Sequence, residues 1–260
     1  MSGSARTALI TGSMSGIGLG IAEAFADAGM NLVLNGIRDP EVAEPTRAAI
    51  EEKGVRAIYC QADVSDEKAV ARMVELASQE FGTLDVVINN AGIQYVSPLE
   101  EFPAGKWDAI LGINLSGAFL VSKAAIPLLK ANGWGRIINI ASAHGLVASP
   151  FKSAYVAAKH GIVGMTKTLA LELAEDHITC NAICPGYVHT PLVQKQIANT
   201  AKARGITEDE VVKDVMLAAQ WTKKFVTVDQ LAGTSLFLCS DHAENITGAA
   251  IPVDGGWTAA

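Results

Sequence analysis

Residues 11–18 read Thr-Gly-Ser-Met-Ser-Gly-Ile-Gly, between the apolar run Ala8–Ile10 and a helical pattern that stops at Gly29. Glycines let a backbone come close to a pyrophosphate, and the N-terminus of the following helix supplies free N–H groups and a partial positive charge. A strand, a glycine-rich loop and a helix in this order predict a phosphate-binding turn for a dinucleotide. Because the spacing is Gly-x3-Gly-x-Gly rather than Gly-x-Gly-x-x-Gly, an ordinary glycine-rich βα turn is the alternative for this loop alone.

Short apolar runs alternate with helical patterns along the chain. Several runs are nearly continuous and rich in β-branched residues, as expected for parallel strands buried on both faces. The predicted strands are Thr7–Ile10, Asn31–Asn35, Ala57–Cys60, Val86–Asn89, Arg136–Ile140, Thr179–Cys184 and Ala250–Val253. The predicted helices are Gly18–Ala28, Pro40–Lys53, Asp66–Phe81, Lys106–Ala131 and Ser153–Ala174. This series predicts an α/β fold, a Rossmann-type doubly wound parallel sheet of about seven strands, in one domain spanning residues 1–260.

Residues 190–225 depart from this alternation. They form a helical pattern with interleaved charges, placed after Pro185-Gly186 near the last strands. Ligands of open α/β sheets bind outside the carboxyl ends of the strands, so this insertion would lie over the binding crevice. We predict that it is a substrate lid, with a passive surface excursion as the alternative.

The composition argues against several classes of protein. Half of the 260 residues are hydrophobic, and the formal net charge is −7 without a basic block, which argues against nucleic acid as a partner. No apolar stretch precedes the first strand, and no uninterrupted apolar run approaches the roughly 18 residues of a membrane-spanning helix. The four cysteines are scattered, which favours free thiols over a metal site. We therefore expect a cytoplasmic protein that binds neither membrane nor metal.

A tyrosine and a lysine four residues apart, Tyr155 and Lys159, would lie on the same face of one helix. A lysine ammonium beside a phenol favours the phenolate, so we expect the pKa of Tyr155 to lie below the usual value of about 10. Such a tyrosine can give or take a proton near neutral pH. The spacing alone also arises by chance in amphipathic surface helices, so its meaning depends on the motifs elsewhere in the chain.

Seven motifs in one order resemble the short-chain dehydrogenase/reductase family over almost the whole chain. They are the Thr11–Gly18 loop, Asn89-Asn90-Ala91-Gly92, Asn114, Ser142, the Tyr155/Lys159 pair, Pro185-Gly186 and Asp254-Gly255-Gly256. The resemblance implies a nicotinamide-dependent oxidoreductase, usually a homotetramer with its long helices packed between subunits. It also implies a catalytic set made of Asn114, Ser142, Tyr155 and Lys159. An alcohol would bind with its oxygen between Ser142 and Tyr155. Tyr155 would take the hydroxyl proton, and Asn114 would relay that proton outward through Lys159 and water.

The same resemblance implies which residues hold the dinucleotide. The expected cofactor contacts are Gly12, Ser15, Gly16, Ile17, Gly18, Gly36, Asp63, Val64, Asn90, Ala91, Gly92, Tyr155, Lys159, Pro185, Gly186, Val188 and Thr190. Some of these positions have a structural alternative. Asp63 and Thr190 could cap helices instead, and Asn90–Gly92 could be a turn that stabilises the sheet.

The end of the second strand bears on the choice between NAD and NADP. An acidic residue there would bind the ribose 2′-hydroxyl and select NAD, but this stretch reads Gly36-Ile37-Arg38. Arg38 could favour a 2′-phosphate. Family members that use NADP often carry a basic residue inside the glycine loop, where this chain has Met14, and the apolar Gly36-Ile37 corner would crowd a phosphate. We therefore expect NAD.

Polar residues around Ser142 and Tyr155 predict a small carboxylate pocket. Lys152 would supply a positive charge, and hydrogen bonds would come from Gln94, His144 and Gln196. The set resembles the branch of the family that interconverts D-3-hydroxybutyrate and acetoacetate with NAD. In that branch Trp257 helps to enclose the site, and the position of Tyr187 commonly holds tryptophan, so a slightly larger 3-hydroxy acid could fit here. The expected substrate contacts are Gln94, Ser142, His144, Lys152, Tyr155, Tyr187, Gln196 and Trp257.

Two other functions stay open from the sequence. A reductase that acts on 3-oxoacyl thioesters with NADPH would need basic residues near the glycine loop or after the second strand, and a pocket without a carboxylate clamp. A non-catalytic dinucleotide-sensing protein could share the fold, since fold alone does not fix function. Taken singly, Lys152 could be a solvated surface residue and His144 an ordinary turn residue. The intact Tyr155, Lys159 and Ser142 favour an enzyme.

Overall fold

The parallel sheet predicted from the apolar runs is present. The computed structural model describes residues 5–190, 193–194, 197–198, 201–202 and 205–260. The strands are β1 (Thr7–Ile10), β2 (Asn31–Gly36), β3 (Ala57–Gln61), β4 (Val86–Asn89), β5 (Gly135–Ile140), β6 (Ile178–Pro185) and β7 (Ala250–Val253). Their order in the sheet is β3-β2-β1-β4-β5-β6-β7, and all neighbours are parallel. The winding reverses between β1 and β4, which opens the crevice where doubly wound folds bind ligands.

Helices cover both faces of the sheet. They are α1 (Gly16–Asp27), α2 (Pro40–Glu51), α3 (Glu67–Phe81), α4 (Ala104–Leu111), α5 (Gly117–Asn132), α6 (Ser153–Glu172) and α7 (Val228–Leu238). Helices α1, α2 and α7 pack on one face around Phe25 and Leu34, and α3, α5 and α6 pack on the other around Met73 and Leu129. Because both faces are covered, the central strands β1, β4, β5 and β6 are fully buried, as their continuous apolar sequence predicts, whereas the edge strands β3 and β7 are partly exposed.

The long helix predicted over Lys106–Ala131 is not continuous in the structure. A π-helical turn, Gly112–Ser116, separates α4 from α5. Asn114 lies in this turn and hydrogen-bonds to the backbone of Ile93 outside its own helix. Because the asparagine side chain bonds outside its own helix, it competes with the backbone hydrogen bonds of that helix. A π-helical turn accommodates one additional residue in the helix, and such turns are frequent at functional sites.

The combined stretch of residues 104–132 is long and apolar enough, by length and composition, to cross a membrane. In this fold, α4 packs on α6, and α5 packs on α3 and on the sheet. Val121, Ala125 and Leu129 are fully buried there. One face of this stretch therefore packs into the core of the fold.

The described parts of residues 190–225 are helical at 193–194, 197–198, 201–202 and 208–216, and they share a small core of their own. Val193, Ile197, Val211 and Met216 are buried together, and Tyr187 packs against them. The turn at residues 207–210 carries a capping box, which fixes where its helix begins. The segment thus contacts Tyr187, one of the expected substrate contacts, as a lid would. Its opening and closing stay a prediction.

The four cysteines are free thiols. Burial raises the pKa of Cys180 and of Cys239 to about 12 and that of Cys184 to about 11. These three thiols therefore stay protonated and unreactive at neutral pH. Within the described residues, no group of three or more histidine, cysteine or acidic side chains is placed to hold a metal ion.

Candidate active site

The glycine-rich loop between β1 and α1 depends on left-handed glycines and on close packing. Gly12 has φ 63° and Gly16 has φ 57°, a region that residues with side chains rarely adopt. A Cβ atom on Gly12 would lie 3.0 Å from Cα of Ala91, and one on Gly18 would lie 2.5 Å from Nδ2 of Asn90. The loop therefore lies directly against the end of β4, and only glycine fits at these positions.

A buried asparagine, Asn35, fixes the same loop to the ends of β2 and β3. Its Oδ1 accepts the N–H of Gly12 at 3.2 Å, and its Nδ2 donates to the carbonyls of Cys60 and Ala62 at 3.2 and 3.0 Å. Ser13 also hydrogen-bonds to the backbone of Asn35. No sequence signal singles out Asn35, because its role depends on three segments that meet only in the folded chain.

Asn90 joins the end of β4 to the glycine loop. Its Nδ2 donates to the carbonyls of Thr11 and Gly12 at 2.9 and 3.2 Å. Oγ1 of Thr11 accepts the N–H groups of Asn90 and Ala91 at 2.9 and 3.0 Å. The turn therefore stabilises the sheet, and its residues also line the cavity beside it, so the two roles considered for it are compatible.

A cavity of about 460 Å³ opens over the carboxyl ends of the strands. Every expected cofactor contact lines it except Gly18, which is buried beneath the loop. The other lining residues are Asn35, Ile37, Ala62, Ile93, Gln94, Ile113, Ile140, Ala141 and Ser142. The lining runs from the glycine loop to Tyr155 at the carboxyl ends of the strands, which is where a dinucleotide binds in a doubly wound fold.

Asp63 and Thr190 make local hydrogen bonds in addition to lining the cavity. Oδ1 of Asp63 accepts the N–H and the hydroxyl of Ser65, and Asp66 caps α3 instead, so the capping alternative for Asp63 is wrong. Oγ1 of Thr190 accepts the N–H of Val193 at 3.4 Å, which is the contact of a helix cap. Contacts from either residue to a cofactor stay a prediction.

Ser142, Tyr155 and Lys159 meet at one end of this cavity. Ser142 follows β5, while Tyr155 and Lys159 lie one turn apart on α6 and line the same cavity. Nζ of Lys159 donates to the carbonyl of Ile140 at 2.7 Å and lies 5.6 Å from the ring centre of Tyr155. The end of β5 therefore anchors the ammonium beside the phenol ring.

The pKa of Tyr155 is raised, and the lower pKa expected from the tyrosine–lysine spacing is wrong. Burial of the phenol is the largest cause; a hydrogen bond with Ser142 lowers the pKa, and the nearby Tyr187 phenol raises it. Burial also lowers the pKa of Lys159 to about 8. Loss of solvation therefore outweighs the ammonium at this distance. A further positive charge in the cavity would be needed to populate the phenolate at neutral pH.

Asn114 lies behind the cavity wall. Its Oδ1 accepts the N–H of Ile93 at 2.8 Å, and its Nδ2 donates to the carbonyl of Ile93 at 3.0 Å. The helix is disturbed at this residue by the π-helical turn. The side chain fixes the segment that begins at Ile93, and a proton relay through Asn114 and Lys159 stays a prediction.

Lys152 and a series of rings form a connected row that ends at Tyr155. Nζ of Lys152 donates to the hydroxyl of Tyr187 at 3.3 Å and lies 5.4 Å from its ring centre. The ring of Tyr187 stacks on Trp257, with centroids 5.5 Å apart and an interplanar angle of 11°. Trp257 contacts His144 edge-on at 5.0 Å, and His144 contacts Tyr155 edge-on at 5.9 Å. Contacts therefore run without a break from an ammonium to the phenol of Tyr155.

His144 is buried between two serine hydroxyls. Its Nε2 lies 2.8 Å from Oγ of Ser149, and its Nδ1 lies 3.4 Å from Oγ of Ser142. Burial, followed by the nearby charge of Lys152, lowers the pKa of His144 to about 4, so the ring is neutral near pH 7. A hydrogen bond from this ring to a substrate carboxylate would have to replace one serine partner, and it stays a prediction.

Two described glutamines belong to the site: Gln94, which the sequence predicts, and Gln220, which it does not. Gln94 lines the cavity, and Gln196 lies outside the described residues. Gln220, which no motif marks, is fully buried: its Oε1 accepts the N–H of Tyr187, and its Nε2 donates to the carbonyl of Lys224 at 2.6 Å. Gln220 thus fixes the loop that carries Tyr187, through contacts that only the folded chain creates.

Asp254 positions Trp257. Its Oδ1 accepts the N–H of Gly256 at 2.9 Å, and its Oδ2 accepts the N–H and the hydroxyl of Thr258 at 2.9 and 2.6 Å. Gly255 and Gly256 are both left-handed, at φ 63° and 85°. The terminal Asp-Gly-Gly motif is therefore a tight turn that holds an aromatic wall of the pocket.

Most of the chain matches proteins of known family. Residues 12–258 match a family model described as enoyl-(acyl carrier protein) reductase. The chain is 54% identical over 255 residues to the D-beta-hydroxybutyrate dehydrogenase of Rhizobium meliloti (strain 1021), a match that covers 98% of this chain and 99% of that protein. It is 49% identical over 254 residues to the D-beta-hydroxybutyrate dehydrogenase of Cupriavidus necator, with 98% of each chain covered.

A solved structure has the same fold. It is a crystal structure assigned to a short-chain alcohol dehydrogenase of Sinorhizobium meliloti 1021, with a TM-score of 0.88, 38% sequence identity, and coverage of 99% of this chain and 98% of that chain. The resemblance expected from the motifs is thereby confirmed, and dehydrogenases of this kind use a nicotinamide dinucleotide. The chain belongs to the short-chain dehydrogenase/reductase family and is an oxidoreductase similar to D-beta-hydroxybutyrate dehydrogenases.

Proposed function

We propose that the protein oxidises D-3-hydroxybutyrate to acetoacetate with NAD, reversibly, with Tyr155 as the acid and base. The observation that carries this proposal is the series of contacts from the Lys152 ammonium to Tyr155. Through these contacts a group for a carboxylate, Lys152, and a group for a hydroxyl, Tyr155, belong to one connected set of side chains. The similarity to two D-beta-hydroxybutyrate dehydrogenases supports the same substrate.

Each charged or polar residue of the pocket has a task in this proposal. The alcohol oxygen binds between Ser142 and Tyr155, and Tyr155 takes the hydroxyl proton in oxidation and returns it in reduction. Lys159 keeps a positive charge near the phenol, and Lys152 holds the carboxylate. When bound, the dinucleotide supplies the carbon that accepts the hydride and, in its oxidised form, a positive charge beside the phenol.

The corner at the end of β2 supports NAD rather than NADP. Gly36 and Ile37 line the cavity, and Met14 is buried beneath them, with its Cγ 2.9 Å from where a Cβ on Gly36 would stand. Gly36 is closely packed, whereas the side chain of Ile37 is 76% exposed, so the corner offers a 2′-phosphate an apolar surface rather than a polar partner. Arg38 is exposed next to the corner, and its backbone carbonyl accepts the hydroxyl of Tyr59 at 2.7 Å. The guanidinium of Arg38 is the positive charge that would favour NADP.

Paired kinetics with the two cofactors test this choice. We expect kcat/KM for NAD to exceed that for NADP by at least about tenfold, or roughly 1.4 kcal/mol. Arg38→Ala should leave the NAD value within about twofold, because an exposed charge contributes little without a phosphate to meet it. The same variant should lower the NADP value further. A wild-type preference for NADP would contradict the proposed cofactor.

The substrate is tested by following the absorbance of NADH. Protein supplied with NAD should produce NADH from D-3-hydroxybutyrate, and far more slowly from 2-butanol, which has the hydroxyl without the carboxylate. The L enantiomer is the stereochemical control. Activity on a 3-oxoacyl thioester with NADPH, without activity on 3-hydroxybutyrate, would contradict the proposal and support the thioester reductase instead.

We also propose a homotetramer located in the cytoplasm. Helices α5 and α6 lie on one face of the sheet and leave Phe119 and Leu171 50% and 82% exposed. Large apolar side chains in the open favour contact with another subunit, and these are the helices that the family resemblance places between subunits. The cytoplasmic location rests on the sequence features given above.

A further inference from the structure

Ser149 lies in a segment that local backbone geometry and one backbone hydrogen bond hold in place beside His144. Pro150 follows it and restricts its backbone to extended conformations. Phe151 then adopts the left-handed region at φ 67°, and its carbonyl accepts the N–H of Ser97 at 2.9 Å. The half-buried Ser149 hydroxyl therefore reaches Nε2 of His144, 2.8 Å away, from a fixed position.

The neutral imidazole of His144 has one N–H and one lone pair, so its two serine partners must play opposite roles. In one arrangement, Nε2–H donates to Ser149 and Nδ1 accepts from Ser142. In the other, Ser149 donates to Nε2, and Nδ1–H donates to Ser142. The contact with Ser149 is 2.8 Å and that with Ser142 is 3.4 Å, which makes Ser149 the stronger of the two partners.

The two arrangements leave the hydroxyl of Ser142 in different states. Its Oγ already accepts the backbone N–H of His144 at 3.1 Å. If Oγ also accepts Nδ1–H, both of its lone pairs are used, and its one O–H must point to Tyr155 or to the reacting oxygen. If Ser142 instead donates to Nδ1, its proton is turned away from the reacting oxygen.

We propose that Ser149 is a positioning residue: its hydroxyl donates to Nε2 of His144, holds the Nδ1–H tautomer, and thereby directs the Ser142 hydroxyl to the reacting oxygen. This inference rests on the proposed function in that it takes the reacting oxygen to be that of a 3-hydroxy acid. It gives His144 a part in orienting the catalytic serine, which differs from contact with a carboxylate.

The tautomer can be measured by ¹⁵N NMR of protein with labelled histidine. The chain has five histidines, and His144→Asn identifies the signals of His144 by their loss. In the NAD-bound protein we expect Nδ1 at the chemical shift of a protonated nitrogen and Nε2 at that of an unprotonated one. Ser149→Ala should move the balance toward Nε2–H, and Ser149→Thr, which keeps the hydroxyl, should retain the wild-type signals. An Nε2–H tautomer in the wild-type protein would overturn the inference.

Steady-state kinetics give the second readout. Ser149→Ala should lower kcat for 3-hydroxybutyrate about tenfold, the effect of one hydrogen bond of roughly 1.4 kcal/mol. The KM for NAD should not change, and Ser149→Thr should recover most of the loss. A residue with only a structural role would instead raise the KM for NAD and lower the melting temperature. An unchanged kcat in Ser149→Ala would also overturn the inference.

The two readouts separate this inference from the proposed function. A protein that has the Nδ1–H tautomer but does not oxidise 3-hydroxybutyrate would refute the proposed substrate and leave the role of Ser149 standing. A protein that oxidises 3-hydroxybutyrate with His144 in the Nε2–H form would refute the role of Ser149 and leave the substrate standing.

Discussion

Tyr155→Phe should lower kcat for 3-hydroxybutyrate oxidation by at least about 10³-fold, within the range that general acid–base groups contribute. Phenylalanine keeps the ring that contacts His144 at 5.9 Å and removes the oxygen that takes the substrate proton. Because the ring stays, the cavity wall is preserved, and affinity for the dinucleotide should change little. The measurements are NADH absorbance for turnover and a fluorescence titration for NADH binding.

Tyr95→Phe is the matched control for this variant. Tyr95 packs edge-on against Phe102, with ring centroids 5.5 Å apart, and it does not line the cavity. It loses the same hydroxyl group, so its kcat should stay close to the wild-type value. Near wild-type turnover in Tyr155→Phe, or an equal loss in both variants, would refute the role of Tyr155.

The pH dependence follows from the same residue. Burial raises the pKa of Tyr155, so its basic form becomes more abundant as the pH rises. The kcat/KM for oxidation should therefore increase from neutral into alkaline pH, while the rate of reduction, which needs the protonated phenol, should decrease. Lys159, with a pKa of about 8, loses its charge in the same range, which should limit the rise. The residual activity of Tyr155→Phe should lack this slope.

The strands and the phosphate-binding loop follow from local sequence. The buried runs are continuous because both faces of a parallel sheet are covered, and the glycines at 12, 16 and 18 are required by backbone angle and by close packing. The pair Tyr155 and Lys159 follows from helix geometry alone. Such features depend on neighbours in the chain, and the structure confirms them at the predicted positions.

Features that depend on distant parts of the chain could not be predicted in this way. The sign of the pKa shift of Tyr155 is set by burial, which the spacing of two residues does not reveal. The interruption of the long helix arises because Asn114 bonds to Ile93, 21 residues away. Gln220 bonds to Tyr187 and Lys224, and Ser149 contacts His144, so both sets of contacts exist only in the folded chain.

Lys152→Ala should raise the KM for 3-hydroxybutyrate about 10- to 100-fold, which corresponds to the roughly 1.5–3 kcal/mol of a hydrogen bond to a charged group. The ammonium already points to the pocket wall, 3.3 Å from the hydroxyl of Tyr187 and beside the Trp257 stack. A carboxylate would be a stronger partner for it than this neutral phenol. The KM for NAD should not change, because Lys152 does not line the dinucleotide cavity. The measurement is the KM of each substrate at saturating concentrations of the other.

Two comparisons isolate the charge of Lys152 from general damage to the protein. With 2-butanol, which has no carboxylate, Lys152→Ala and the wild type should have similar kcat/KM. Lys123→Ala, which removes an exposed lysine paired with Glu67 at 2.8 Å on the surface, should leave the KM for 3-hydroxybutyrate unchanged. An unchanged KM in Lys152→Ala would leave the carboxylate without its proposed partner. The pocket would then have no physical reason to prefer a hydroxy acid over a neutral alcohol, even with Tyr155 acting as proposed.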